Sequence, residues 1–186
     1  MSGRMVKNVC AIIPTRGDVS TGIICDHLKS YKQISEVRFV IGDTPFNRYR
    51  SILESRHEII LTQDDDCVTD IRPLLEAYDP AFIVNAMTEA HAANYQGNQT
   101  LIGFGAIFHR SLVEHAFNNW NWERDALFYR ESDRIFPTVN PHKTVFPRID
   151  ILPHANAENR LWKQPDHIAA RDAMNQRIFE VTGIAA

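Results

Sequence analysis

Short apolar segments that alternate with helical segments place the strongest constraint on the fold of this chain. In the first third of the sequence, three of them have the length and composition of buried strands, and they run from Val9 to Ile13, Glu36 to Ile41 and Glu58 to Thr62. Asp18 or Ser20 can cap a helix after the first, and a helix from about Arg48 to Ser55 separates the second from the third. This alternation predicts βαβ units, and therefore an α/β fold whose mostly parallel sheet is flanked by helices.

The remainder of the chain continues the α/β pattern. The predicted helices span residues 70–78, 111–118, 123–136 and 165–182, and the predicted strands span residues 81–86, 101–108 and 144–152. Ser111 and Glu114 form a capping box, and Gly183 can end the last helix. A chain of 186 residues without a repeat or a linker fits one core, so we expect a single domain over residues 1–186.

The composition is that of an ordinary globular protein, with 44% hydrophobic and 23% charged residues. The formal net charge of -3 gives the whole protein no attraction to nucleic acid or to an anionic membrane. No apolar run is long enough to span a membrane, and the first one ends at Pro14, too early for a secretory signal. Cys10, Cys25 and Cys67 lack CxxC spacing, which argues against disulfides or a structural zinc and favours a cytoplasmic protein.

Three consecutive aspartates, Asp64, Asp65 and Asp66, come directly after the third predicted strand. Adjacent carboxylates repel one another, and a bound divalent cation removes that cost. Hard oxygen ligands suit Mg²⁺ or Mn²⁺, which keep coordination positions for substrate phosphates. Ligands of open α/β sheets bind beyond the carboxyl ends of the strands, so we expect the aspartates to share a crevice with the loops at residues 15–17 and 42–43.

The segment from Ile59 to Asp66 resembles the DxD segment of GT-A glycosyltransferases, in which a buried strand delivers the motif to the donor site. Asn47-Arg48-Tyr49, followed by a helix and this strand, is similar to the exostosin-like branch of those enzymes. The segment from Leu101 to Arg110 resembles their glycine-bearing strand on the acceptor side. The resemblance implies a GT-A fold, a nucleoside-diphosphate sugar as donor, with UDP as the expected nucleotide, and Mn²⁺ or Mg²⁺ as cofactor.

The resemblance also implies roles for matching residues. Asp66 would be the principal metal ligand, Asp64 would contact the ribose or nucleotide, and Asp65 would lie beside the donor. Gly103 would let the sugar approach the backbone. The remaining donor-binding residues would line the nucleotide pocket or touch the base and diphosphate; they are Pro14, Thr15, Arg16, Asn47 and Arg48.

An acidic pair near the reaction centre is expected from the same resemblance. Glu131-Ser132-Asp133 matches it, with Asp133 as the preferred catalytic base and Glu131 as the second choice. Ion pairs of Glu131 and Asp133 with Arg130 and Arg134 on a helix surface would explain the same sequence pattern. The stereochemistry stays open, because exostosin-like relatives retain configuration whereas a base at Asp133 implies inversion.

A histidine late in the chain often completes the metal site of GT-A enzymes. His154 follows the last predicted strand and fits that position, and His142 and His167 are its rivals. Arg160 and Lys163, in the segment that follows, could reach the diphosphate.

Two other functions compete with sugar transfer. Asp64 to Val68 also matches the D-x-D-x-[TV] motif of haloacid-dehalogenase-type phosphatases, in which Asp64 and Asp66 would act, although that motif ordinarily ends the first strand. A non-catalytic nucleotide-sugar binding module would keep Asp66 and the Arg16 loop without needing a base at Asp133. The acceptor is not identified by any motif; a glycan, a small molecule and hydroxymethylated phage DNA are all compatible.

Overall fold

The computed structural model describes residues 6–17, 19–95, 97–118, 120–153 and 161–185. In these residues the strands are β1 (Val9–Thr15), β2 (Ile34–Ile41), β3 (Ile59–Thr62), β4 (Cys67–Thr69), β5 (Ile83–Ala86), β6 (Ala106–His109), β7 (His142–Val145) and β8 (Ile149–Ile151). The helices are α1 (Gly22–Lys29), α2 (Phe46–Leu53), α3 (Arg72–Ala77), α4 (Glu89–Ala92), α5 (Ser111–Asn118), α6 (Ala126–Arg130), α7 (Ser132–Thr138) and α8 (His167–Thr182).

The central sheet of the described chain contains six strands in the order β2-β1-β3-β6-β5-β7. β1 pairs in parallel with β2 and β3, and β5 pairs in parallel with β7. β6 lies antiparallel between β3 and β5, so it is the strand that opposes the other five. The predicted α/β architecture with a mainly parallel sheet is confirmed.

Both faces of the central sheet are buried. Residues Val9 to Ile13 of β1 are fully buried and alternate between two core clusters. Cys10 and Ile12 pack into the cluster that includes residues of α2, α5, α7 and α8, whereas Val9, Ala11 and Ile13 pack into the cluster that includes residues of α1 and α3. Burial on both faces explains why β1 reads as a continuous apolar run.

Three predicted elements have different bounds because backbone breaks interrupt them. The predicted strand 144–152 is two strands, β7 and β8, which belong to different sheets on either side of Pro147. The predicted helix 123–136 is divided at Glu131, whose φ of -107° and ψ of 22° are not helical. The predicted strand 101–108 begins only at Ala106, because Gly105 has a φ of 128°.

Two short elements were not predicted. β4 follows the aspartates directly and pairs antiparallel with β8, with Cys67 opposite Ile151 and Thr69 opposite Ile149. The other is α4, which is capped by the Thr88 side chain. Among the described residues, no helix has the length and apolarity needed to cross a bilayer.

Candidate active site

A cleft of about 180 Å³ opens at the carboxyl edge of the sheet, where β1, β2 and β3 end. Its walls come from the loops after these strands, from α2 and α7, and from the 3₁₀ turn Leu161–Lys163. The residues that line it are Pro14, Thr15, Arg16, Gly42, Asp43, Thr44, Pro45, Arg48, Asp64, Asp65, Asp133 and Leu161. Loops at the ends of three parallel strands therefore converge on one crevice, as expected for an open α/β sheet.

The turn that carries the three aspartates is fixed by backbone hydrogen bonds from distant segments. The Asp64 amide donates to the Gly103 carbonyl over 2.7 Å, and the Leu152 amide donates to the Asp66 carbonyl over 2.7 Å. Inside the turn, the Gln63 side-chain amide donates to the Cys67 carbonyl over 2.6 Å. These bonds hold the backbone of the turn, so the position of each aspartate Cβ is fixed by the fold.

Arg48 connects two carboxylates across the cleft. It lies on α2, its side chain is 2% exposed, and its guanidinium donates to Asp64 Oδ1. Arg48 Nη1 also lies 3.8 Å from Asp133 Oδ1. Burial alone would lower the pKa of Arg48, but Asp133 and Asp64 raise it, so the guanidinium stays charged.

Asp133, in the first turn of α7, combines a hydrogen bond from α2 with partial exposure at the cleft. The Tyr49 hydroxyl donates to its Oδ1 over 2.7 Å, and 35% of the side chain remains exposed at the cleft. Desolvation raises the pKa of the Asp133 carboxyl, whereas the Arg48 charge and the Tyr49 hydrogen bond lower it. A carboxylate whose pKa is raised towards neutrality accepts a proton more readily than an ordinary surface aspartate.

Glu131 lies behind the cleft. Its side chain is 5% exposed, with Arg130 Nε 3.2 Å from Oε1 and Arg171 Nε 4.0 Å from Oε2. Burial raises the pKa of this carboxyl, and the arginines oppose the rise. Of the two predicted acidic residues, Asp133 lines the cleft, whereas Glu131 is not among the described residues that line it.

Most of the predicted donor-binding residues line the cleft, and two lie just beneath its surface. Asn47 packs so closely on Gly42 that a Cβ there would lie 1.8 Å from Asn47 Nδ2. A Cβ on Gly103 would lie 2.4 Å from Asp64 Oδ2. The residues that line the cleft as expected are Pro14, Thr15, Arg16, Arg48, Asp64 and Asp65.

The aspartate turn has one feature that fits a hard divalent cation. Asp65 is 8% exposed, and within the described chain its Oδ2 is buried without a hydrogen-bond donor. Buried carboxylate oxygens are normally satisfied by a donor or a cation. Carboxylate oxygens match the preference of Mg²⁺ and Mn²⁺, so the chemistry of the turn fits either ion. Among the described residues, however, Asp64, Asp65 and Asp66 do not bring one oxygen each within 4.8 Å of one another, and Asp66 does not line the cleft.

The histidine predicted to complete a metal site, His154, lies outside the described residues, as does Arg160. His142 is the first residue of β7, which pairs in parallel with β5, so it lies at the amino edge of the sheet and away from the cleft. His167 begins α8; burial and nearby arginines lower its pKa. Lys163 ends the 3₁₀ turn whose first residue, Leu161, lines the cleft.

Besides the predicted loops, Thr44, Pro45, Tyr49 and Leu161 contribute to the site without a role predicted from the sequence. Tyr49 was noted as part of a motif, but its contact with Asp133, 84 positions further on, has no local signal. Leu161 lines the cleft although it lies in the last quarter of the sequence, and the residues around it in the sequence form no motif that predicts this position.

No protein-family model matches the sequence, and no curated protein matches it. Solved structures do resemble the fold. Glucosyl-3-phosphoglycerate synthase from Mycobacterium tuberculosis, in complex with Mn²⁺, UDP-glucose and phosphoglyceric acid, matches with a TM-score of 0.52 and 12% identity over 97% of this chain and 81% of that chain. The fold is of the GT-A type. A second complex of that enzyme gives a TM-score of 0.50 at 10% identity over the same shares of the two chains.

A197 from STIV matches with a TM-score of 0.50 and 14% identity, over 78% of this chain and 86% of that chain. At these identities the likeness concerns the fold alone. The expected fold class is confirmed, whereas the similarity of Asn47-Arg48-Tyr49 to the exostosin-like branch stays a prediction.

Proposed function

We propose that the protein is a metal-dependent glycosyltransferase that moves a sugar from a nucleoside-diphosphate donor, with UDP as the expected nucleotide, to an acceptor hydroxyl. In this proposal residues 1–186 act as one glycosyltransferase domain. The observation that carries it is the meeting of Asp64, Asp65, Arg48 and Asp133 in one cleft at the carboxyl edge of a GT-A-type sheet. The Mn²⁺ and UDP-glucose complex of the structurally similar synthase supports it.

The donor binds between the end of β1 and the aspartate turn. Thr15 Oγ1 accepts a hydrogen bond from the Gly17 amide over 3.0 Å, which shapes the loop that carries Arg16. Arg16 and Arg48 supply positive charge for the diphosphate, and Asp64 contacts the ribose or nucleotide. Asn47 and Gly103 support residues that line the cleft. Asn47 packs on Gly42, and Gly103 leaves room for the Asp64 carboxylate.

Asp66 would be the principal ligand of Mn²⁺ or Mg²⁺, with Asp65 as a second carboxylate and His154 as a further ligand. A cation held there would supply positive charge to the leaving diphosphate. The hydrogen bond from the Leu152 amide to the Asp66 carbonyl constrains the backbone of this turn.

Asp133 is the base that takes the proton from the acceptor hydroxyl. The Tyr49 hydroxyl orients its carboxylate, and the Arg48 charge lowers its pKa, which opposes the rise caused by desolvation. Direct attack assisted by such a base inverts the configuration of the transferred sugar. Glu131, the second choice, is held by arginines behind the cleft.

The discriminating experiment compares Asp133→Asn with Glu131→Gln. Release of nucleoside diphosphate is measured with Mn²⁺, a panel of UDP-sugars, and glycans, small molecules and hydroxymethylated phage DNA as acceptors. Loss of a general base costs about 10²- to 10⁴-fold in rate, so Asp133→Asn should lose turnover while binding the donor as the wild type does. Glu131→Gln, checked for folding by circular dichroism, should keep turnover.

Other outcomes contradict the proposal. Equal turnover of Asp133→Asn and wild type would remove the base assignment. Donor binding without turnover by the wild type, with every acceptor, would favour a non-catalytic binding module. Phosphate release from simple esters, with a phosphoaspartate trapped at Asp64, would favour the phosphatase.

A further inference from the structure

Three potential metal ligands of different chemical types meet at the amino edge of the central sheet. Cys10 lies near the start of β1, Glu36 lies opposite it in β2, and His57 lies in the loop before β3. One ligand atom from each lies within 4.8 Å of the other two. Cys10 and Thr15 are five residues apart on β1, or about 17 Å at 3.3 Å per residue, so the cluster is separate from the cleft.

The separations already approach those of a tetrahedral site. His57 Nδ1 lies 3.5 Å from Glu36 Oε2. Two ligands that each bind zinc at about 2.0 to 2.3 Å in tetrahedral geometry lie roughly 3.3 to 3.8 Å apart. Small side-chain rotations would therefore bring all three ligand atoms around one ion.

Outer partners orient two of the three ligands. Ser35 Oγ lies 3.2 Å from His57 Nε2, which leaves Nδ1 on the side of Glu36. Arg38 donates to Glu36 Oε1 from Nε and Nη2 over 3.0 and 2.7 Å, which leaves Oε2 facing His57. Partners of this kind fix the ring and the carboxylate of metal ligands in known sites. Ser55 Oγ, 3.5 Å from Nδ1, is the competing contact that an ion would displace.

We propose that Cys10, Glu36 and His57 form a second metal site, which binds Zn²⁺ or a similar transition-metal ion. A thiolate, an imidazole and a carboxylate suit zinc, whereas Mg²⁺ and Mn²⁺ prefer all-oxygen sites such as the aspartate turn. Cys10 is fully buried and forms the floor, while Glu36 and His57 are 37% and 23% exposed and leave an entry path. The three ligands tie β1, β2 and the loop before β3 together and leave the fourth tetrahedral position to water.

The ligands are too far apart in the sequence to form a motif. They stand at positions 10, 36 and 57, so the absence of CxxC spacing argues only against the commoner zinc modules. The parallel pairing of β1 with β2 brings the first two together.

The test uses the full chain stripped of metal with a chelator. Calorimetric titration of the Asp66→Asn chain with Zn²⁺, in which the aspartate turn no longer competes for the ion, should show one ion per chain, and Co²⁺ should give the near-ultraviolet charge-transfer band of a thiolate ligand. Glu36→Gln and His57→Gln should each weaken Zn²⁺ binding by more than about tenfold, and Ser35→Ala by about tenfold, as losses of ligands and outer partners do.

Matched controls identify the site. His109→Gln and Cys25→Ser, which change residues outside the cluster, should bind Zn²⁺ like the wild type. Asp66→Asn should also bind it normally, which separates this proposal from the proposed function.

Three results would overturn the proposal. They are no Zn²⁺ binding by the wild type, wild-type affinity in both Glu36→Gln and His57→Gln, and a Co²⁺ complex without the thiolate band. None of them depends on a Cys10 variant, whose buried position makes it prone to misfold.

Discussion

At the scale of single residues, the cleft depends on Arg48. Its buried guanidinium donates to Asp64 and lies 3.8 Å from Asp133, while Tyr49, the next residue, donates to Asp133 from the same helix. The sequence predicted Arg48 and Asp133 separately, Arg48 as a donor contact and Asp133 as a base. Their mutual contact could not be predicted, because it joins α2 to α7 and no local pattern records it.

Removal of the Arg48 charge should destabilise the fold. Arg48→Met leaves Asp64 and Asp133 without their shared partner, and breaking a buried pair in this way costs about 3 to 5 kcal/mol. Because both carboxylates are partly exposed, we expect a loss near the lower limit of that range, measured by urea denaturation. Arg50→Met is the matched control on the exposed side of α2 and should change stability by less than about 0.5 kcal/mol. Equal stabilities of the two variants would contradict this role for Arg48.

The activity should rise with pH through the pKa of Asp133. The base must be ionised, and desolvation raises its pKa above the ordinary aspartate value, so kcat/KM falls as the pH drops through that raised pKa. The Tyr49 hydrogen bond lowers this pKa, so Tyr49→Phe should move the acidic limb to higher pH. Tyr129→Phe, in the neighbouring helix α6, is the control and should leave the limb in place. An unchanged limb in Tyr49→Phe would exclude Asp133 as the titrating base.

At the scale of elements, the largest differences from the sequence prediction come from backbone breaks. Helical periodicity across residues 123–136 gave one helix, but the structure turns at Glu131 so that α7 begins there and brings Asp133 to the cleft. Apolar character across residues 144–152 gave one strand, but β8 leaves the central sheet to pair with β4 beside the aspartates. Both breaks position the candidate site, and tertiary pairing prevails over the local pattern at each.

The turn before β6 depends on a glycine. Gly105 has a φ of 128°, a backbone conformation that residues with a side chain rarely adopt. A Cβ there would lie 3.4 Å from Leu74 Cδ1. Gly105→Ala should therefore cost about 1 to 3 kcal/mol, measured by urea denaturation. Gly22→Ala, at the start of α1, where a Cβ would lie 3.9 Å from Ser20 Oγ in ordinary contact, is the control and should be neutral or stabilising by up to about 1 kcal/mol. Equal changes in the free energy of unfolding for the two substitutions would contradict a requirement for glycine at position 105.

At the scale of the whole molecule, the sequence predicted the architecture better than the details of the second half. Val9 to Thr62 alternates strands and helices whose order is local, so the parallel core and the crevice at its carboxyl edge could be predicted. The antiparallel strand β6 and the β4–β8 pair depend on contacts between distant segments, such as Cys67 with Ile151. The likeness to the synthase structures extends over 97% of the chain, which agrees with a fold set by the arrangement of its elements rather than by sequence identity.

A thermal-shift panel of nucleotides and nucleotide sugars, with and without Mn²⁺, tests the central claim most directly. Ligand at about 100 times its Kd stabilises by about 2.7 kcal/mol, which for a chain of this size raises Tm by about 5 to 10 °C. We predict a shift of this size with a UDP-linked donor, dependent on Mn²⁺, lost in Asp66→Asn and kept in Asp133→Asn. The exposed Asp150→Asn is the matched acidic control and should keep the shift. No Mn²⁺-dependent shift with any nucleotide would contradict a metal and nucleotide-sugar site at the aspartate turn.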